Sequence, residues 1–71
     1  MRLSTRNQLP GTVADVQLGT IMSAVKVTLR GGDTITAAIT REAAEDLGLA
    51  AGRPVTVLVK ATEVMIAVDD Q

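Results

Sequence analysis

The stretch Ala24–Thr40, AVKVTLRGGDTITAAIT, constrains this chain more than any other part of it. Val25, Val27 and Leu29 fall on one parity, and Lys26, Thr28 and Arg30 on the other. A period of two is the signature of a strand with one buried face. Gly31, Gly32 and Asp33 interrupt the pattern with residues that favour a tight reversal. The alternation then resumes, with Ile35, Ala37 and Ile39 inward and threonines outward. A β-hairpin therefore stands in the middle of the chain, and the rest must pack around it.

The flanking segments read as further short strands. Residues 3–9 form one, with Leu3 on one face and Ser4 and Arg6 on the other. Pro10-Gly11 is read as a break or bulge before a second strand from Thr12 to Leu18. Gly19 marks a turn. At Thr40 the period changes, and TREAAEDLGL predicts a helix of about two turns. Thr40 is its N-cap, Glu42 lies in its first turn, Ala43, Ala44 and Leu47 form its apolar side, and Gly48 ends it. AGRP is another turn, VTVLVK alternates again, and VMIAV predicts a last strand before a frayed DDQ tail. Strands, one short helix and further strands suggest a mostly β chain: a small OB-like β-barrel of five to six strands with one short α-helix, in one domain over residues 1–71. Closure protects edges that a Val/Ile-rich chain exposes at a cost.

Composition sharpens this expectation. None of the 71 residues is Phe, Tyr or Trp, so the core is aliphatic. Aromatics bury roughly 150–250 Å² each, and a domain this small already hides only about 60% of its unfolded surface. Small domains usually add a disulfide, a metal or self-association. With no Cys and no His, disulfides and zinc-type sites are excluded, leaving self-association. A homo-oligomer is expected.

The same inventory narrows function. No catalytic carboxylate pair, nucleophile elbow, P-loop or dinucleotide fingerprint is present, so an enzyme is not expected. Single-strand nucleic-acid binding on a barrel needs aromatic platforms and a basic groove. A net charge of −1 without aromatics argues against it. No apolar run approaches a membrane span, and no secretory h-region opens the chain. A cytoplasmic protein with no nucleic-acid or membrane partner is the expectation.

Anion binding is the class that remains. Ser4 and Arg6, two residues apart, share a strand face and offer a hydroxyl and a planar fork of donors. Lys60 adds a compact charge at the end of an apolar strand, and Ala61 leaves its own N–H open to close approach. Thr40 adds a hydroxyl at a helix start, where N–H groups favour negative charge. Two positive charges and several neutral donors suit one tetrahedral dianion. The competing reading is ordinary solvated surface with a helix cap at Thr40. Lys26, Arg30, Arg41 and Arg53 are read as solvated, and Met22 and Met65 as core or interface filler.

Three blocks together, STRNQLPGTV, AITREAAEDLGL and VLVKATEVMIA, resemble the molbindins, the small molybdopterin-associated (Mop) proteins. Their domain also occurs in molybdate-responsive regulators and transporter ATPases. The resemblance covers nearly the whole chain. It implies an OB-like barrel that binds molybdate or tungstate in the cytoplasm, for storage or homeostasis. It also implies a hexamer built as a trimer of dimers, with anions between subunits. Carried over by position, it assigns Ser4, Arg6 and Lys60 as polar ligands, Ala61 as a backbone donor and Thr40 as a helix-entry hydroxyl. Thr5 stands where the family usually has Ala, and Ala43 where some members have Ser. A second anion site implied by the family falls on the LGTIMSAV loop, at Ile21 and Met22. Molybdate is fully deprotonated at neutral pH, so every ligand can be a donor, whereas monohydrogen phosphate needs an acceptor. A structural or protein-interaction module with vestigial anion binding is the alternative.

Overall fold

The structure, a computed structural model, describes residues 1–69. Its elements run β1 (Asn7–Leu18), β2 (Met22–Leu29), β3 (Thr34–Thr40), α1 (Arg41–Asp46) and β4 (Pro54–Val59), then a 3-10 turn at Ala61–Glu63. The four strands make one antiparallel sheet in the order β3-β2-β1-β4. The expected class is present: a mostly β, OB-like fold with one short helix. It has four strands among the described residues, not five or six.

The central hairpin forms as its alternation dictates. Val25 and Val27 are buried, and Ile35, Ala37 and Ile39 lie half-buried across from them. Gly32, at φ 98°, carries the reversal, and Leu29 N–H donates to Asp33 O at 2.7 Å. Helix α1 starts at Thr40, whose Oγ1 accepts from Ala43 N–H at 3.1 Å. Gly48, at φ 62°, terminates it. Of the expected apolar side, Ala44 is buried and Ala43 half-buried, while Leu47 is exposed.

Three expectations are corrected. The first strand starts at Asn7, not Leu3, and Pro10-Gly11 does not break it: β1 is continuous for 12 residues. Proline is tolerated because β1 is paired on one side only at that point. Pro10 opposes Thr56 of β4, and pairing to β2 begins at Gly11. The irregularity lies further on, where the β1–β2 register shifts between Val13 and Asp15. One extra residue reverses facing, since the side-chain period is two. Gly11 and Val13 face inward before it, and Val16 after it. Thirdly, VMIAV makes no ladder: Val64–Val68 is exposed chain outside the sheet. Met65 therefore does not fill this chain's core. The frayed tail expected at DDQ falls largely on Asp70 and Gln71, outside the described residues.

Val13, Val25 and Val27 form the buried core, with Val16, Leu29, Ile35, Ile39, Leu49, Val55 and Val57 packed around them. Gly11 serves this packing. A Cβ there would lie 2.7 Å from Thr28 O and 2.8 Å from Val27 Cγ1. Gly31 has open space around it and no left-handed backbone. Gly11→Ala is therefore expected to cost about 1–3 kcal/mol, the usual range for overpacking. Gly31→Ala should stay within about 0.5 kcal/mol of the parent. Chemical denaturation of both variants checks this; equal midpoints would contradict the packing role of Gly11.

Candidate functional site

The β1–β4 register builds the first recess. Asn7 opposes Val59, so the chain before Asn7 lies alongside the chain after Val59. Asn7 Nδ2 reinforces the pairing by donating to Val59 O at 3.0 Å. Gln8 Nε2 donates to Thr5 O at 2.8 Å and draws the preceding turn back onto the strand. Residues Ser4–Arg6 are thereby set against Lys60–Thr62, enclosing a recess of about 220 Å³. Its lining is Ser4, Thr5, Arg6, Lys60, Ala61 and Thr62.

Sequence reasoning named four of these six residues. Thr5 and Thr62 are the other two: Thr5 stands where the family usually has Ala, and Thr62 lies within the block VLVKATEVMIA without being named as a ligand. Ser4 and Arg6 come together through a bend and the ladder's first pair, not through a shared strand face. Arg6 and Lys60 are both exposed. Neither makes an ion pair; among the described residues the only one is Arg41–Glu45, at 3.3 Å. None of the lining residues is acidic. Two cations therefore share a recess whose other members are hydroxyls and backbone. Ala61 and Thr62 open a 3-10 turn, where the first N–H groups lack intrahelical acceptors.

Thr40 lies elsewhere. It lines a second recess of about 610 Å³ with Thr20, Ile21, Arg41, Glu42, Glu45 and Asp46. The two recesses stand near opposite ends of β1, whose 12 residues extend on the order of 35 Å at ~3.3 Å per residue. One chain does not unite Thr40 with Ser4, Arg6 and Lys60. Arg41, read from sequence as solvated, bonds Glu45 and reaches Gly19 O at 3.5 Å. Three carboxylates around one engaged guanidinium make this recess, taken alone, a poor host for a dianion.

Ile21 and Met22 also sit at this end. Arg41 N–H donates to Ile21 O at 2.7 Å, and Met22 opposes Thr40 in the β2–β3 register. Met22 lines a shallow recess of about 440 Å³ with Gln17, Leu18, Gly19, Ser23, Ala24 and Ala38. Ser23 was missed by sequence reasoning. Its Oγ is buried and has no hydrogen-bond partner among the described residues. The available signal was its parity, since it shares the inward face with Val25 and Val27.

Residues 3–66 match the model of the TOBE domain. The chain is 47% identical over 66 residues to the molybdenum transport protein ModE of Herbaspirillum seropedicae, covering 93% of this chain and 24% of that protein. It is 41% identical over 66 residues to molybdenum-pterin-binding protein 3 of Clostridium pasteurianum, covering 93% of this chain and 97% of that one. Among solved structures, a molybdate-binding protein from Sporomusa ovata superposes with a TM-score of 0.89 at 40% identity, over 94% of this chain and 98% of that one. The molybdate-bound form of ModG, described as a cytoplasmic molybdate-binding protein, gives 0.83 at 43% identity, over 86% of this chain and 43% of that one. The chain thus spans about a quarter of one relative and nearly all of another. With four strands, a Thr40-capped helix and three sequence blocks in the same order, it belongs to the TOBE-domain family, among the molybdenum-pterin-binding proteins, the molbindins.

Proposed function

We propose that this chain is a non-catalytic binding protein for molybdate, and for tungstate of the same charge and nearly the same size, acting in cytoplasmic storage or homeostasis. The observation that carries the reading is the recess where Arg6 and Lys60 meet without a carboxylate. A dianion there relieves the repulsion between two like charges and accepts from donors only. Arg6 supplies a fork of N–H groups and Lys60 a compact charge. Ser4 and the Ala61 N–H complete the near side. Each relative whose printed name states a ligand or cargo points to molybdenum or molybdate, which supports the same anion class here.

Thr40 joins the site from a second copy. Its separation from Ser4 within one chain supports an anion held between subunits, in a hexamer assembled as three dimers. Each copy then offers a cationic end and a Thr40 end. Contacts around Ile21 and Met22 form a further site only where several copies converge, because within one chain Ile21 shares its recess with three carboxylates and Met22 lines a separate, shallow one.

Arg6→Ala and Lys60→Ala should each weaken molybdate binding at least tenfold, roughly 1.4 kcal/mol, in isothermal titration. Both side chains are exposed, so unfolding midpoints without anion should move by less than about 0.5 kcal/mol. Parent-like affinity in both variants would overturn the assignment. Native mass spectrometry should show six copies carrying several molybdate masses. A species of one copy that retains full affinity would overturn the intersubunit site.

A further inference from the structure

The bend before β1 holds a hydroxyl without a partner. Of the three residues on that wall of the cationic recess, Ser4 and Arg6 are exposed, while Thr5 between them is half-buried. Its backbone is held in place, since Thr5 O accepts from Gln8 Nε2 at 2.8 Å. The clamp sets the position of Thr5 before any ligand arrives, and a β-branched side chain has few rotamers to choose from. Its hydroxyl, by contrast, makes no hydrogen bond among the described residues. A hydroxyl always carries a proton to donate. Among the described residues no carboxylate lines the recess to accept it.

The Thr40 end of the sheet is poorer in free hydroxyls. Thr40 Oγ1 already accepts from Ala43 N–H at 3.1 Å, so part of its capacity is spent on the helix. Ala43, in the first turn of α1, has no hydroxyl, although some members of the family carry Ser there. Thr5 stands where the family usually has Ala, so this chain has gained a hydroxyl on the wall beside Arg6. We propose that Thr5 is a further direct ligand of the anion, its hydroxyl donating to an oxyanion oxygen held by Arg6 and Lys60, an inference that rests on the molybdate reading of this recess. The donor that Ala43 does not supply is then furnished from the cationic side. A hydrogen bond to a charged acceptor is stronger than a neutral one, and half-burial of Thr5 limits the competition from water.

The test is isothermal titration of molybdate into Thr5→Val, which keeps the shape and loses the donor, and into Thr5→Ser, which keeps the donor. The parent and Arg6→Ala are titrated alongside. Thr5→Val is expected to bind roughly fivefold or more weakly, the loss of one charge-assisted hydrogen bond partly open to water. Thr5→Ser should stay within about twofold of the parent. Parent-like affinity in Thr5→Val, or an equal loss in Thr5→Ser, would overturn the proposal. If Arg6→Ala loses binding while Thr5→Val does not, the anion reading stands and the role of Thr5 falls. A parent that binds no molybdate overturns both. As a second measurement that needs no variant, methyl NMR on threonine-labelled parent protein should show the Thr5 signal shifting as molybdate saturates the site. A Thr5 signal that stays in place would overturn the proposal.

Discussion

Strand β1 is the constraint on which the rest depends. It pairs with β2 along its second half and with β4 along its first, and so joins the central hairpin to β4. One register, Asn7 against Val59, brings two distant chain segments together and forms the cationic recess. Another feature of the same strand, the shift between Val13 and Asp15, keeps both halves facing the core. Without that extra residue Val16 would point outward, because parity along a strand is strict. The core and the candidate site are thus two consequences of how one strand is paired.

Electrostatics gives the recess its character. Among the described residues Arg6 and Lys60 face no carboxylate, while Arg41, at the other end, is tied to Glu45. A cation already engaged by a neighbouring carboxylate has less to offer an anion. Two unpaired cations beside hydroxyls, with backbone donors nearby, have no better partner than an oxyanion that needs only donors. Thr40 lines a different recess, at the opposite end of the sheet.

The aliphatic composition has a structural counterpart. Among the described residues only four hydrophobic ones are buried: Val13, Val25, Val27 and Ala44. A sheet covered by a six-residue helix leaves its concave face open between β3 and β4. Large apolar residues remain exposed on the segment after the 3-10 turn.

Much of this was legible in the sequence. Strict alternation around Gly31–Asp33 determined the hairpin, and Thr40 with Gly48 bounded the helix through local hydrogen-bonding and φ preferences. Ser4, Arg6, Lys60 and Ala61 stood out as donors in the sequence, and the three blocks named the family. Tertiary structure decided the rest. Pro10 lies inside a strand because β1 is unpaired on one side there, a fact of sheet order that no local pattern encodes. The bulge after Val13, the lining roles of Thr5 and Thr62 and the unpartnered Ser23 hydroxyl follow from register and burial, set by contacts many residues apart. Val64–Val68 shows the division most clearly. Its residues favour a strand, but a strand needs a neighbour to accept its hydrogen bonds, and among the described residues it pairs with none.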